Sequence, residues 1–202
     1  VAAVRTIVDR LASHAEPGFA FEVKVVDAPI VNAFALPGGT VFVYTGLLAA
    51  AESPEQVAGV IAHEMAHVTR RHGMQRIAQS IGVIGALQLL MGDVSGLAGL
   101  AVHVLREGTV NSYSREQETE ADLVGVQTMV RARLPARSLA GFLAVLKRRE
   151  QNSARLPSWL ATHPDLAGRI AAIETESARL PRREHEPFAL RWVDVKPKTS
   201  VD

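Results

Sequence analysis

His63-Glu64-Met65-Ala66-His67 has the form H-E-x-x-H and stands inside a stretch that the sequence marks as helix. Ser53-Pro54-Glu55-Gln56 opens it with an N-cap serine, a proline at the first helical position and a glutamine at N3. Val57, Val60, Ile61, Met65 and Val68 follow at helical spacing, and Gly73 ends or weakens the helix. Residues i and i+4 share a helix face, so both imidazoles reach one metal ion. Glu64 is placed to hold a water beside that metal, which is the core of a zinc hydrolase. The competing reading is a buried helix whose histidines satisfy each other or the backbone.

A catalytic zinc site needs three protein ligands and one open position. The third is sought about fifty residues downstream, in Ser114-Arg115-Glu116-Gln117-Glu118-Thr119-Glu120-Ala121-Asp122. Leu123, Val126, Met129 and Val130 extend this run as an apolar helix face. Three glutamates compete for the role. Glu118 and Asp122 are four apart and share a face, so Glu118 can bind zinc while Asp122 accepts a proton from a ligand imidazole. Glu116 and Glu120 lie off that face and read as solvated charge. The whole run also suits an acidic helix N-terminus favoured by the macrodipole.

These two motifs resemble metallopeptidase family forty-eight, the gluzincin group of the CAAX prenyl proteases and their HtpX-like and BepA-like relatives. The family's second motif, S-R-x-x-E-x-x-A-D, is matched by Ser114, Arg115, Glu118, Ala121 and Asp122. The resemblance implies His63, His67 and Glu118 as zinc ligands, Asp122 as the partner of a ligand histidine, and Glu64 as general base. Asn32-Ala33 and Pro37-Gly38-Gly39 are similar to the segment that precedes the family's zinc helix, and Thr162-His163-Pro164 with Arg169 is similar to its T-H-P segment. Together these cover residues 20–175. The resemblance also implies that Asn32 and Ala33 lie along an extended peptide substrate, on a strand edge that accepts an added strand.

His163 has two readings. Thr162 can cap a helix, leaving His163 as part of the turn. Alternatively His163 is catalytic, either donating to the oxyanion of the scissile carbonyl or occupying the open metal position as in the BepA-like branch. Tyr113 and Arg169 are further candidates for the oxyanion donor. His72 lies past the site and reads as surface, and His14 and His185 lack supporting context. His103 lies in an apolar stretch and reads as structural.

Phe19 to Val26 and Thr40 to Tyr44 alternate as strands, with a turn at Pro37-Gly38-Gly39. They predict a small antiparallel sheet. Helices are expected near 2–13, over the two motifs, and near 136–151 and 165–178. Strands followed by helices give a helix-dominated α+β fold, in agreement with the zincin-like fold the resemblance implies. Residues 1–180 are expected to form the peptidase domain and 181–202 a C-terminal extension, where 188–193 adds a short strand or packs on the body.

The stretch from Ser80 to Leu105 is strongly apolar, but Gly92-Asp93-Val94-Ser95-Gly96 breaks it into pieces too short to span a bilayer. It reads as a buried helix pair or as a surface resting on a membrane. The chain has 202 residues, 48% of them hydrophobic, and a net charge of +1, which gives no electrostatic case for nucleic acid. Without cysteines there is neither disulfide nor thiol chemistry. The chain begins at Val1 without a signal peptide, so it reads as a processed protein or an excised domain. The expected function is a zinc endopeptidase, one zinc per chain, acting on unfolded or misassembled polypeptides in the bacterial periplasm or at a membrane. The alternative is a latent, chaperone-like peptide-binding module on the same scaffold.

Overall fold

The computed structural model describes residues 1–79, 82, 113–152, 158–181 and 183–197. The elements run α1 (Ala2–Ala12), β1 (Glu22–Val26), β2 (Ala33–Ala35), β3 (Thr40–Tyr44), α2 (Thr45–Ala50), α3 (Pro54–Thr69), α4 (Arg115–Arg131), α5 (Ser138–Asn152), α6 (Ser158–Thr162), α7 (Leu166–Arg179) and α8 (Trp192–Val195). Residues 72–79 are also helical. The fold is therefore α+β and helix-dominated, as the sequence implied. The apolar stretch 80–105 and His103 lie outside the described residues, apart from Gly82. Among the described residues no helix is long and apolar enough to cross a membrane.

The sheet corrects one expectation. Its order is β1-β3-β2; β2 pairs antiparallel with β3, but β1 pairs parallel with it, Val23 opposite Val41 and Val25 opposite Val43. The β2–β3 turn leaves room for β1 beside β3. Gly39 N–H donates to Leu36 C=O at 2.9 Å, and Gly39 adopts φ +92°. A Cβ there would lie 2.1 Å from the Ala20 carbonyl oxygen, so only glycine lets the chain entering β1 run beside β3. Strand β3 is central, and β1 and β2 are the two edges.

Helix α3 is the centre of the molecule. Ser53 Oγ accepts from Gln56 N–H at 3.2 Å, as the cap predicted. The Gln56 side chain, however, accepts from Glu52 N–H at 2.8 Å rather than closing a box on Ser53. Residues Gln56 to Val68 are all buried, so α3 is enclosed on every side rather than amphipathic. It packs on α1, α4, α5 and β2. From α1 it receives Val4, Ile7, Val8 and Leu11, all buried and set at i, i+3, i+4 and i+7. Each such side chain contributes roughly 1.5–3 kcal/mol by leaving water.

Two glycines let neighbouring helices come close. A Cβ on Gly59 would sit 2.8 Å from Leu139 N in α5, and one on Gly125 would sit 3.1 Å from His63 N in α3. Gly125 follows Glu118 by seven residues, on the same face of α4. The close crossing therefore delivers the acidic face of α4 to the histidines of α3.

The segment after Pro181 packs on the body instead of adding a strand. The indole N–H of buried Trp192 donates to Ala51 C=O at 3.0 Å, and Phe188 N–H donates to the Glu55 carboxylate at 3.2 Å. Glu186 forms an ion pair with Arg133, and its backbone N–H donates to Arg133 C=O at 2.9 Å.

Candidate active site

His63, His67, Glu118 and His163 converge, their ligating atoms all within 4.8 Å of one another and all four residues buried. His63 Nε2 and His67 Nε2 are 3.0 Å apart. Glu118 Oε1 lies 3.2 Å from His67 Nε2, and its Oε2 lies 3.7 Å from His63 Nε2. Tetrahedral coordination at ordinary zinc–nitrogen and zinc–oxygen lengths spaces ligand atoms about 3.4 Å apart, so these edges suit one ion.

Charge gives a second test of fit. Glu64, Glu118, Asp122 and Arg169 are buried together at this centre. With the three carboxylates ionised, one guanidinium leaves two negative charges unmatched, the deficit a divalent cation makes good. Glu118 Oε2 points the same way: among the described residues it is buried without a hydrogen bond of good geometry, although Arg169 Nη1 pairs with it at 2.6 Å. The residues fit a divalent metal.

The helix caps explain how Glu118 arrives. Ser114 and Gln117 form a complete capping box, each side chain accepting the other's backbone N–H at 3.2 Å. This fixes the first turn of α4. Glu118 and Asp122 then project from one face toward α3, while Glu116 remains in solvent. Burial pushes Glu118 up, yet the charges of His163 and His63 and the hydrogen bonds of His163 and His67 hold it well below the usual carboxylate range.

Asp122 sits behind His63, with Oδ1 2.9 Å from His63 Nδ1. Arg169 grips the same carboxylate twice, Nε to Oδ2 and Nη2 to Oδ1, both at 2.7 Å. Burial raises Asp122, but the Arg169 and His63 hydrogen bonds outweigh it and lower its pKa. Arg169 thus pairs with both Asp122 and Glu118. Tyr113 stacks on His67, ring centroids 3.8 Å apart and planes at 20°. Burial, then the nearby Glu64 charge, pushes its hydroxyl up to about 12.

His163 lies in the site, not in a cap. Thr162 ends α6, and the cap of α7 is Asp165, at φ 64°, whose carboxylate accepts from Gly168 N–H at 3.2 Å. His163 Nδ1 is 2.9 Å from Glu118 Oε1 and 3.2 Å from His63 Nε2. It therefore stands at the fourth corner of the cluster. Its Nε2 is 3.5 Å from Glu64 Oε1.

Two residues here escaped the sequence reading. Trp159 carries no motif, yet its indole N–H donates to Glu64 Oε1 at 3.1 Å and its ring stacks on His163 at 4.3 Å. His72, read as surface, is buried, with its Nδ1 2.9 Å from His67 Nδ1. Arg71 adopts φ 57° just beyond α3, and this reversal returns His72 over His67. Glu120, read as solvated, meets His72 Nε2 at 3.2 Å. His14 and His185 stay outside the site: the His14 ring bonds Ser13 and Arg10, and His185 is exposed.

Asn32 and Ala33 stand at the start of edge strand β2, which packs against α3. Asn32 C=O accepts from Tyr44 N–H at 3.1 Å, and Asn32 Oδ1 is buried without a partner among the described residues. Just upstream, Val31 C=O accepts from Trp159 N–H at 3.1 Å, which ties the edge strand to α6.

The profile of peptidase family M48 matches residues 2–177. The mitochondrial metalloendopeptidase OMA1 of Schizosaccharomyces pombe is 33% identical over 176 residues, covering 85% of this chain and 52% of that protein. The beta-barrel assembly-enhancing protease of Escherichia coli K12 is 33% identical over 174 residues, 80% of this chain and 36% of that protein. The human mitochondrial metalloendopeptidase OMA1 is 30% identical over 164 residues, 75% of this chain and 31% of that protein. The chain thus spans about half or less of the length of these relatives.

Proposed function

The chain belongs to peptidase family M48, and on that premise we propose that it is a zinc endopeptidase. His63, His67 and Glu118 would hold one zinc ion per chain. The observation that carries this reading is the buried convergence of two imidazole nitrogens and a carboxylate, with Glu64 one residue from the first histidine. A zinc ion held by these residues would supply Lewis acidity, making bound water more acidic and a peptide carbonyl more polar.

The chain's own residues do the rest. Glu64 takes the proton of the attacking water as general base and returns it to the leaving amine. The Trp159 indole N–H orients that carboxylate. Asp122 fixes the ring of His63, and Arg169 fixes Asp122. The β2 edge at Asn32 and Ala33 supports an extended substrate by backbone pairing. The polypeptides that fit such an edge are unfolded or misassembled ones. The relatives' names, a mitochondrial endopeptidase and a protease enhancing β-barrel assembly, favour a quality-control role in a bacterial envelope or at a membrane.

A second reading rests on His163. With Nδ1 at the fourth corner of the cluster, His163 takes the position that substrate or water needs. The site is then latent until His163 withdraws, and in that state the module binds peptide without cutting it. The test is cleavage of casein by zinc-loaded protein, beside Glu64→Gln and His163→Ala. Wild-type cleavage that Glu64→Gln abolishes supports the peptidase and the base. Cleavage by His163→Ala alone supports latency. No cleavage by wild type or His163→Ala, with zinc bound, overturns the peptidase reading.

A further inference from the structure

Behind His67, on the side away from the metal cluster, runs a row of polar groups that the proposed mechanism does not use. His67 Nδ1 and His72 Nδ1 are 2.9 Å apart, their rings at 70°. His72 Nε2 is 3.2 Å from Glu120 Oε2, and Glu120 Oε1 is 3.3 Å from Arg70 Nε. Arg70 in turn pairs with Glu16 at 2.8 Å. His72 is buried, whereas Glu120 is half-exposed.

Simple chemistry places the protons along this row. An ionised carboxylate only accepts, so His72 Nε2–H donates to Glu120. Neutral His72 then presents its lone pair at Nδ1. A lone pair at 2.9 Å needs a donor, so His67 Nδ1 carries a hydrogen. The remaining nitrogen of His67, Nε2, is then the lone pair, and Nε2 is the atom that faces His63 and Glu118. The opposite tautomer would give Nε2 a hydrogen to share with Glu118 Oε1, 3.2 Å away, but it would set two lone pairs against each other at Nδ1 and close Nε2 to a metal.

We propose that His72 and Glu120 are a positioning pair that holds His67 in its Nδ1–H tautomer and so keeps Nε2 free for the metal. The proposal rests on the metal-site reading above. The two ligand histidines are then supported in different ways. His63 leans on a buried carboxylate locked by Arg169, and His67 leans on a second imidazole backed by a carboxylate at the surface. Tyr113 completes the support of His67 by stacking on its plane, with the Arg76 guanidinium 4.5 Å from the Tyr113 ring centre.

The test uses the whole chain and four variants: His72→Leu, His72→Asn, Glu120→Ala and, as a control, Glu116→Ala. One readout is zinc affinity by chelator competition. The other is the ring nitrogen shifts of His67 in metal-free protein, which report the tautomer directly. Wild type should show His67 as the Nδ1–H form. His72→Leu should give a tautomer mixture and weaken zinc binding about 10–100-fold, the range for partners of metal ligands. His72→Asn places an amide oxygen near the lost acceptor and should recover most of both. Glu120→Ala, at a half-exposed site that leaves the core intact, should shift the tautomer and weaken zinc about 10-fold, and Glu116→Ala should change neither. An unchanged tautomer and affinity in Glu120→Ala, or a wild-type His67 in the Nε2–H form, overturns the proposal even if the leucine variant fails to fold. Wild type that binds no zinc while keeping the Nδ1–H form overturns the metal-site reading instead.

Discussion

Trp159 shows how much a single residue can connect. Its indole N–H holds Glu64 Oε1, its face stacks on His163, and its edge meets Phe142 in the core. Trp159→Phe keeps an aromatic ring but removes the N–H, leaving a buried carboxylate short of a partner. The expected cost is about 1–3 kcal/mol, read from denaturant midpoints, with zinc binding preserved. Unchanged stability would mean that the indole contact contributes nothing. Glu118 and Glu116 give a second comparison, two residues apart on one helix. Glu118→Ala should weaken zinc binding more than about 100-fold, beyond the range for outer partners of metal ligands. Exposed Glu116→Ala should change it less than about twofold, as expected of a surface substitution. Equal losses in a chelator competition would show that the ligand lies elsewhere. Neither Trp159 nor His72 was legible from the sequence, because a tryptophan in a five-residue helix carries no spacing signal and His72, though roughly on the ligand side by spacing, reads as past the site. Glu118 and Asp122 were legible because helical periodicity sets their shared face before any packing occurs.

At the scale of elements, the site depends on how closely α4 crosses α3. A methyl at position 125 would press on His63 N at 3.1 Å, where the backbone has little room to yield. Gly125→Ala gains about 1 kcal/mol of helix propensity. The displaced helices should cost more than that, for a net loss of about 1–2 kcal/mol and a weaker metal site. A stabilised variant with unchanged zinc affinity would show that the crossing has slack. Arg71 offers the opposite case. Its φ of 57° strains a residue with a Cβ, so Arg71→Gly should keep the fold and stabilise it by up to about 1 kcal/mol. A thermal melt that falls instead would mean that the arginine side chain matters more than the turn. The long helices follow from caps and apolar spacing, and α1, α3, α5 and α7 lie near where these cues place them. The parallel pairing of β1 with β3 does not follow from strand patterns, since alternation is the same for either direction. It follows from β1 lying beside β3 rather than beside β2, an approach that Gly39 permits by leaving room for Ala20.

At the scale of the whole molecule, metal, histidines and stability are linked. Zinc at 100 times its dissociation constant should stabilise the fold by about 2.7 kcal/mol. For a chain of this size that is a rise of about 5–10 °C in Tm on adding zinc to the stripped protein. A Tm indifferent to zinc would argue against a ligand set built into the fold. In metal-free protein, burial first of all lowers the pKa values of His67 and His72 below 6.5, against the pull of Glu118 and Glu120. A group whose folded value is depressed contributes its full stability above the unfolded value. That contribution should fall away as pH drops from about 6.5 toward the folded values, because the unfolded chain binds protons first. Urea titrations at pH 8 and pH 5.5 should show the acidic sample clearly less stable. Equal midpoints would mean that these histidines keep ordinary pKa values.

The sequence by itself determined the zinc motif's helix, the capped acidic helix and the helix-dominated class, because caps and a 3.6-residue period act within a dozen neighbouring residues. It also determined that His63 and His67 share one helix face and that Glu118 and Asp122 share another, because the spacing on each helix is fixed by the backbone. Only the tertiary structure decided that His163 reaches the fourth corner, that Arg169 pairs with Asp122 and Glu118, and that His72 backs His67. Each of these depends on where a short helix or a single left-handed residue redirects the chain, and such positions are set by packing between distant segments.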